Sequence, residues 1–151
     1  MDKEKLYLDT SVISAYYDQR VKERQKETIK FWKKILPRYE SYISEITVKE
    51  IANTKQISLR KKLTKLINGF RVLKLNKSIR SLANSYVEEE IFSKAQRADA
   101  FHVAAASFHG IYYLASWNFE HLVKVKTRKM VSLVNVLKGF KEIEIIMPTE
   151  L

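Results

Sequence analysis

The chain has 151 residues with three Gly, two Pro and no Cys, and its 28 Lys and Arg against 17 Asp and Glu give a formal net charge of +11. So little Gly and Pro argues against a collagen-like, disordered or turn-rich all-β chain and favours long regular elements in one soluble domain spanning 1–151. The lack of Cys excludes disulfides and thiolate metal sites, while the positive charge favours a polyanionic or acidic partner.

Apolar patterning predicts strands and helices that alternate along the chain. In chain order they are a strand at 6–8, a helix from about 21 to 36, a strand at 42–43, a helix from 44, a basic helix at 59–67, a strand at 72–75, a helix at 79–87, a helix at 101–108, a strand at 111–115, a helix at 130–137 and a strand at 143–146. This alternation predicts an α/β fold, a three-layer α/β/α sandwich around a central, mainly parallel sheet.

The segment at 100–119 contains no charged residue and is the one transmembrane candidate. Its two His, two Ser and one Asn would need solvation in hydrocarbon, and Gly110 divides it into a helix and a strand. The amino-terminal residues lack the apolar stretch of a secretory signal. We therefore expect no membrane association and a cytoplasmic location.

Polar residues follow several predicted strands, where ligands gather in open α/β sheets. The four candidates are Asp9, Glu50, Asp99 and Asn118. Taken singly, each suits a helix cap, a surface acid or a turn. Taken together, the acids repel one another and resist ionisation unless a cation neutralises them. Oxygen ligands favour Mg²⁺ or Mn²⁺ over zinc, and such an ion activates water and orients a phosphodiester.

Four motifs carry a resemblance to a known family. LYLDTSVIS at 6–14, SEITVKEI at 44–51, RADAFHVAAA at 97–106 and YYLASWNFEHL at 112–122 resemble, in order and spacing, the motifs of PIN-domain ribonucleases. The tail NVLKGFKEIEIIMPTE at 135–150 is similar to that of PIN proteins of the VapC-like toxin type. The resemblance spans nearly the whole chain.

The resemblance implies that Asp9, Glu50 and Asp99 are the catalytic, metal-binding carboxylates, with Mg²⁺ or Mn²⁺ as cofactor. Many members place an acid where Asn118 stands, so this amide is expected to offer a weaker, uncharged ligand to a second ion. The resemblance also implies that Thr10 or Ser11 supports the site. Ser116 is expected to assist by hydrogen bonding, and His121 is a further supporting candidate because it lies near Asn118.

The function that the resemblance implies is a metal-dependent endoribonuclease acting on single-stranded RNA, as the toxin of a type II toxin–antitoxin pair. A small acidic antitoxin and a homodimer are the expected protein partners. Two alternatives stay open: an RNA-binding PIN module whose catalysis is weakened or lost through Asn118, and a non-toxin PIN nuclease acting in RNA processing.

Substrate contacts are predicted at the basic helix and at one aromatic residue. The candidates are Arg60, Lys61, Lys62, Lys65 and Trp117. The alternative is a solvated helix surface and a core aromatic. His102, three residues after Asp99, is interpreted as a packing residue rather than a proton shuttle. A P-loop or dinucleotide-binding domain is disfavoured because no Gly-rich turn follows the first strand.

Overall fold

The computed structural model describes residues 2–151, whose regular elements alternate along the chain. The strands are β1 (Glu4–Leu8), β2 (Tyr39–Ser44), β3 (Arg71–Leu73), β4 (Tyr113–Ala115) and β5 (Glu144–Ile146). The α-helices are α1 (Thr10–Ser14), α2 (Lys22–Lys34), α3 (Glu45–Ala52), α4 (Ile57–Leu66), α5 (Lys77–Glu88), α6 (Arg97–Phe108) and α7 (Val125–Lys138). Short 3₁₀ turns follow α1, precede β2 and α6, and close the chain.

The five strands form one sheet in the order β3-β2-β1-β4-β5, and every neighbouring pair is parallel. The carboxyl ends of all five strands therefore meet at the same edge. The chain builds outward from β1 to β3 on one side and then crosses to β4 and β5 on the other, so the strand order reverses between β1 and β4. In open α/β sheets this reversal point opens the crevice in which ligands bind.

Alternating side chains of β1 enter two different cores, because successive residues of a strand point to opposite faces. Tyr7 packs with residues of α5, α6 and α7. Leu6 and Leu8 pack with residues of α1, α2 and α4. Helices thus cover both faces of the sheet, and the predicted α/β/α class is confirmed.

Helix ends follow from local side-chain chemistry. Ser44 caps α3 by accepting a hydrogen bond from the Ile46 N–H, and Asn76 caps α5 in the same way. Gly139, with a φ of +80°, ends α7. Both α6 and α7 begin about four residues before their predicted starts, because charged residues interrupt the apolar pattern of their first turns. No helix of residues 2–151 is long and apolar enough to cross a membrane.

Candidate active site

Asp9 lies at the reversal point of the sheet, directly after β1. Its backbone N–H donates to the Ala115 carbonyl at the end of β4 over 3.0 Å. The side chain is buried, and its Oδ2 accepts hydrogen bonds from the hydroxyls of Ser11 at 2.6 Å and Ser116 at 2.8 Å. Both donors are neutral, and no Lys or Arg in residues 2–151 forms an ion pair with this carboxylate.

Glu50 approaches the same point from α3. Its Oε1 accepts from the Thr10 hydroxyl at 2.9 Å and lies 2.8 Å from Nε2 of His102. The Oδ1 atom of Asp9 is 3.5 Å from the same imidazole nitrogen. Two carboxylates from distant segments of the chain therefore flank one histidine nitrogen, and 40 % of the Glu50 side chain stays open to solvent.

Asp99 stands in the first turn of α6, one turn before His102. Burial raises the pKa of the Asp99 carboxyl, and the negative charge of Asp9 raises it further, to about 6, with a smaller contribution from Glu50. The positive charges of His102 and His121 act in the opposite direction. Because the charges of both other acids raise the pKa of Asp99, the three carboxylates form one electrostatic cluster.

His102, interpreted from the sequence as a packing residue, is buried and also belongs to this cluster. Its side chain is 1 % exposed, its Nδ1 lies 2.6 Å from the Tyr7 hydroxyl, and its Nε2 lies between Glu50 and Asp9. Burial lowers the pKa of His102, but the hydrogen bond to Glu50 and the surrounding negative charges outweigh burial and raise it. The available signal was its spacing of three from Asp99, which places both side chains on one helical face.

The pairing with His102 also shifts the pKa of Glu50. Burial raises it, but the hydrogen bonds from His102 and Thr10 and the charge of His102 lower it more, so the net pKa lies below the usual value. Both shifts favour a charged Glu50 beside a charged His102.

No group of three or more His, Cys, Asp or Glu side chains within residues 2–151 stands in an arrangement that could hold a metal ion. The chemistry of the donor set nevertheless suits a hard dication. The three acids repel one another, have no Lys or Arg partner among residues 2–151, and offer oxygen ligands. His102 Nε2 stands between the carboxylates of Asp9 and Glu50. For Asp9, Glu50 and Asp99 to bind one ion, Glu50 or His102 must therefore turn away.

The predicted supporting residues divide into two groups. Thr10, Ser11 and Ser116 donate to the carboxylates of Glu50 or Asp9. Asn118 instead uses its Oδ1 to accept the backbone N–H of His121 at 3.0 Å, which builds a turn after β4. The His121 ring contacts Gln96 rather than a carboxylate of the cluster.

The predicted substrate-binding residues also differ in position. Trp117 is 8 % exposed, and its indole N–H donates to the Thr28 hydroxyl at 3.0 Å, so the ring packs in the core. The lysines at 61, 62 and 65 are exposed on α4. In the described part of the chain neither they nor Arg60 form an ion pair with an acid, which leaves a basic helix face open.

A scan against protein-family models and a comparison with curated proteins give no match. Solved structures are similar over most of the chain. FitAcB from Neisseria gonorrhoeae is 18 % identical with a TM-score of 0.61, over 97 % of this chain and 99 % of that one. A toxin–antitoxin complex from Klebsiella pneumoniae is 19 % identical with a TM-score of 0.58, over 82 % and 94 %. VapC20 from Mycobacterium tuberculosis, a Sarcin–Ricin loop cleaving toxin, is 15 % identical with a TM-score of 0.61, over 93 % and 99 %.

At these identities the similarity establishes the fold. The chain has the PIN-domain fold, which the four sequence motifs predicted. More particularly, it is the fold of the VapC- and FitB-type toxins among these structures.

Proposed function

We propose that this chain is a metal-dependent endoribonuclease whose active site is the cluster of Asp9, Glu50 and Asp99. The observation that carries the proposal is the convergence of three acids at the reversal point of the sheet without a Lys or Arg partner in residues 2–151. Holding like charges together costs stability, and perturbed carboxylates in a crevice are typical of catalytic sites.

A bound Mg²⁺ or Mn²⁺ would supply an activated water and neutralise charge on the leaving oxygen of a phosphodiester. The chain's own hydroxyls prepare the ligands. Ser11 and Ser116 both donate to Oδ2 of Asp9, and its Oδ1 lies 3.5 Å from Nε2 of His102. Thr10 fixes Oε1 of Glu50 from the first turn of α1. Because the Asn118 Oδ1 already accepts the backbone N–H of His121, we do not include it as a metal ligand and propose a single ion held by the three acids.

Single-stranded RNA is the proposed substrate. The net charge of +11 and the open basic face of α4 suit a polyanion. The structure from Klebsiella pneumoniae is a toxin–antitoxin complex and VapC20 is a loop-cleaving toxin, so by similarity we propose a toxin role with a small acidic antitoxin as partner. By the same similarity we expect a homodimer.

The test is cleavage of a fluorescent single-stranded RNA by the purified protein with Mn²⁺ or with a chelator. Wild type is compared with Asp99→Asn and with Glu142→Gln, an exposed acid at the amino-terminal edge of the sheet. We expect Mn²⁺-dependent cutting by wild type and Glu142→Gln and its loss in Asp99→Asn. Equal cutting by all three proteins, or cutting that survives the chelator, would remove the proposed chemistry.

A further inference from the structure

A cavity of about 700 Å³ lies beside the carboxylate cluster and has no role in the function proposed above. It is formed by the end of α5, the segment at 90–96 and the segment at 120–124. Its volume is in the range of small-molecule sites, and a nucleobase with its ribose fits within it.

The cavity wall is connected to the active site by hydrogen bonds. His121, which lines the cavity, donates its backbone N–H to Oδ1 of Asn118, and the Asn118 N–H donates to the Ser116 hydroxyl at 2.9 Å. That hydroxyl donates to Asp9. Gln96, also in the wall, lies one helical turn before Asp99. A group bound in the cavity therefore stands next to the proposed site of cleavage.

Two side chains that line the cavity, Gln96 and His121, have defined hydrogen-bonding directions. The Ser93 N–H donates to Oε1 of Gln96 at 3.0 Å, which turns the amide nitrogen toward His121. That nitrogen lies 2.8 Å from Nδ1 of His121 and donates to it. A neutral His121 consequently carries its proton on Nε2. Gln96 keeps a second N–H, so this wall presents N–H donors.

The charges around the cavity balance, unlike those of the chain as a whole. Glu90 and Glu120 stand against Lys94 and Lys124, in a protein whose net charge is +11. A track for phosphates would carry an excess of Lys and Arg. Apolar lining comes from Val87, Ile91 and Phe92. A balanced, half-apolar cavity suits an uncharged flat ligand with polar edges.

Glu90 has an unusual backbone conformation at the rim of this cavity. Its φ of +60° is the one positive value of a non-glycine residue in 2–151. It ends α5, and the following N–H of Ile91 bonds back to the Tyr86 carbonyl at 3.0 Å. Glycine adopts this conformation without the cost of about 1 kcal/mol that a side chain adds. This conformation places Glu90 among the residues that line the cavity.

We propose that this cavity binds an unpaired nucleobase of the RNA beside the scissile phosphodiester, and that it prefers guanine; this rests on the function proposed above. Guanine offers the acceptors O6 and N7 on one edge, which match the N–H donors of Gln96 and His121. Its neighbouring edge carries the N1–H and amino donors, which match the carboxylate of Glu90. RNA-binding proteins read unpaired bases through such edge contacts and apolar packing.

The experiment uses a set of RNA oligonucleotides that differ at one nucleotide next to the cleavage site, which is G, A, C, U or abasic. We measure kcat/KM with Mn²⁺ for wild type, Glu90→Gln and the control Glu142→Gln. Wild type and the control are expected to prefer G over the abasic site tenfold or more. In Glu90→Gln that ratio should fall at least fivefold, a change in selectivity that a loss of folded protein would not produce.

A second arm measures binding without cleavage, by fluorescence anisotropy of the same oligonucleotides with Asp99→Asn and with Asp99→Asn/Glu90→Gln. Cleavage without base preference, or a preference unchanged in Glu90→Gln, overturns the subsite and leaves the nuclease. If no cleavage occurs but binding shows a base preference that depends on Glu90, the nuclease proposal is overturned and the subsite is supported. A Glu90-dependent preference for another base overturns the guanine assignment. Absence of both cleavage and base-dependent binding overturns both proposals.

Discussion

Replacing Asp99 by Asn should stabilise the metal-free protein at neutral pH. In the folded chain burial and the charges of Asp9 and Glu50 raise the pKa of this carboxyl from 3.8 to about 6. Its ionisation therefore opposes folding above that pH. Asparagine keeps the shape and removes the charge, and no side-chain hydrogen bond of Asp99 occurs in the described residues to be lost.

The size and pH range of the effect follow from the two pKa values. For a fully shielded group the difference corresponds to roughly 3 kcal/mol in the free energy of unfolding. Because Asp99 is partly open to solvent, we expect about 1–2 kcal/mol. Below about pH 4 the carboxyl is protonated in both states, and variant and wild type should be equally stable. Between about pH 4 and 6 only the unfolded state releases the proton. Wild type then loses stability relative to the variant, and the gap is constant at higher pH.

Urea unfolding in chelator at pH 3.5, 5 and 7.5 measures the gap, with Glu142→Gln as the control for loss of one acid. Adding Mn²⁺ should reverse the order, since ligand that binds only the folded protein stabilises it by RT ln(1 + [L]/Kd) and Asp99→Asn loses a ligand. A variant less stable than wild type at pH 7.5 without metal would refute the repulsion argument. An equal Mn²⁺ response in both would refute the assignment of Asp99 as a ligand.

Three further changes probe the surroundings of the site and the core. His102→Leu should lower the free energy of unfolding by about 1–3 kcal/mol, because Asp9 and Glu50 lose their buried partner. His102→Gln should lower it less, since the Gln amide can still donate to Glu50. Equal losses in the two variants would contradict this pairing. Glu90→Gly should raise stability by about 1 kcal/mol through relief of its positive φ, and a loss would show that the backbone there is unstrained. Leu114→Ala should lower the free energy of unfolding, measured in urea, by about 2–5 kcal/mol, because Leu114 is fully buried. The control Leu137→Ala, at a largely exposed position, should change it by no more than about 0.5 kcal/mol. A small loss in Leu114→Ala would place this residue outside the core.

The fold was predictable because its determinants are local. Strand β1 is an apolar run ended by Asp9, and α3 begins at the capping residue Ser44. Alternation of strands and helices then restricts the topology to a parallel sheet covered on both faces. The convergence of Asp9 and Asp99 at one edge follows from that topology. Asp9 comes directly after the carboxyl end of β1, and Asp99 lies in the first turn of α6, the helix that precedes the parallel strand β4.

The position of His102 between two of these acids was not predictable, because it depends on distances between remote segments. His102 and Tyr7 lie 95 positions apart in sequence, yet their side chains are 2.6 Å apart. The sequence offered only an Ala-rich helix, in which a histidine is more often a packing residue. Trp117 was a candidate for base stacking, with a core position as the alternative; its indole N–H donates to Thr28 and its ring is buried in the core. Spacing along the chain predicts which face of a helix or strand a residue occupies. Which side chains it contacts there depends on the packing of the elements.

The charge distribution connects the site to the surface. A chain with eleven more basic than acidic side chains could neutralise three clustered acids with Lys or Arg, yet within residues 2–151 the one basic side chain beside Asp9 and Glu50 is His102. Lysine and arginine stay charged at all working pH values, whereas an imidazole can give up its proton near neutrality. A hard dication entering the cluster would then compete with one weakly basic group rather than with a permanent ion pair. The surplus of lysine and arginine on α4 and elsewhere is left for the phosphates of the proposed RNA.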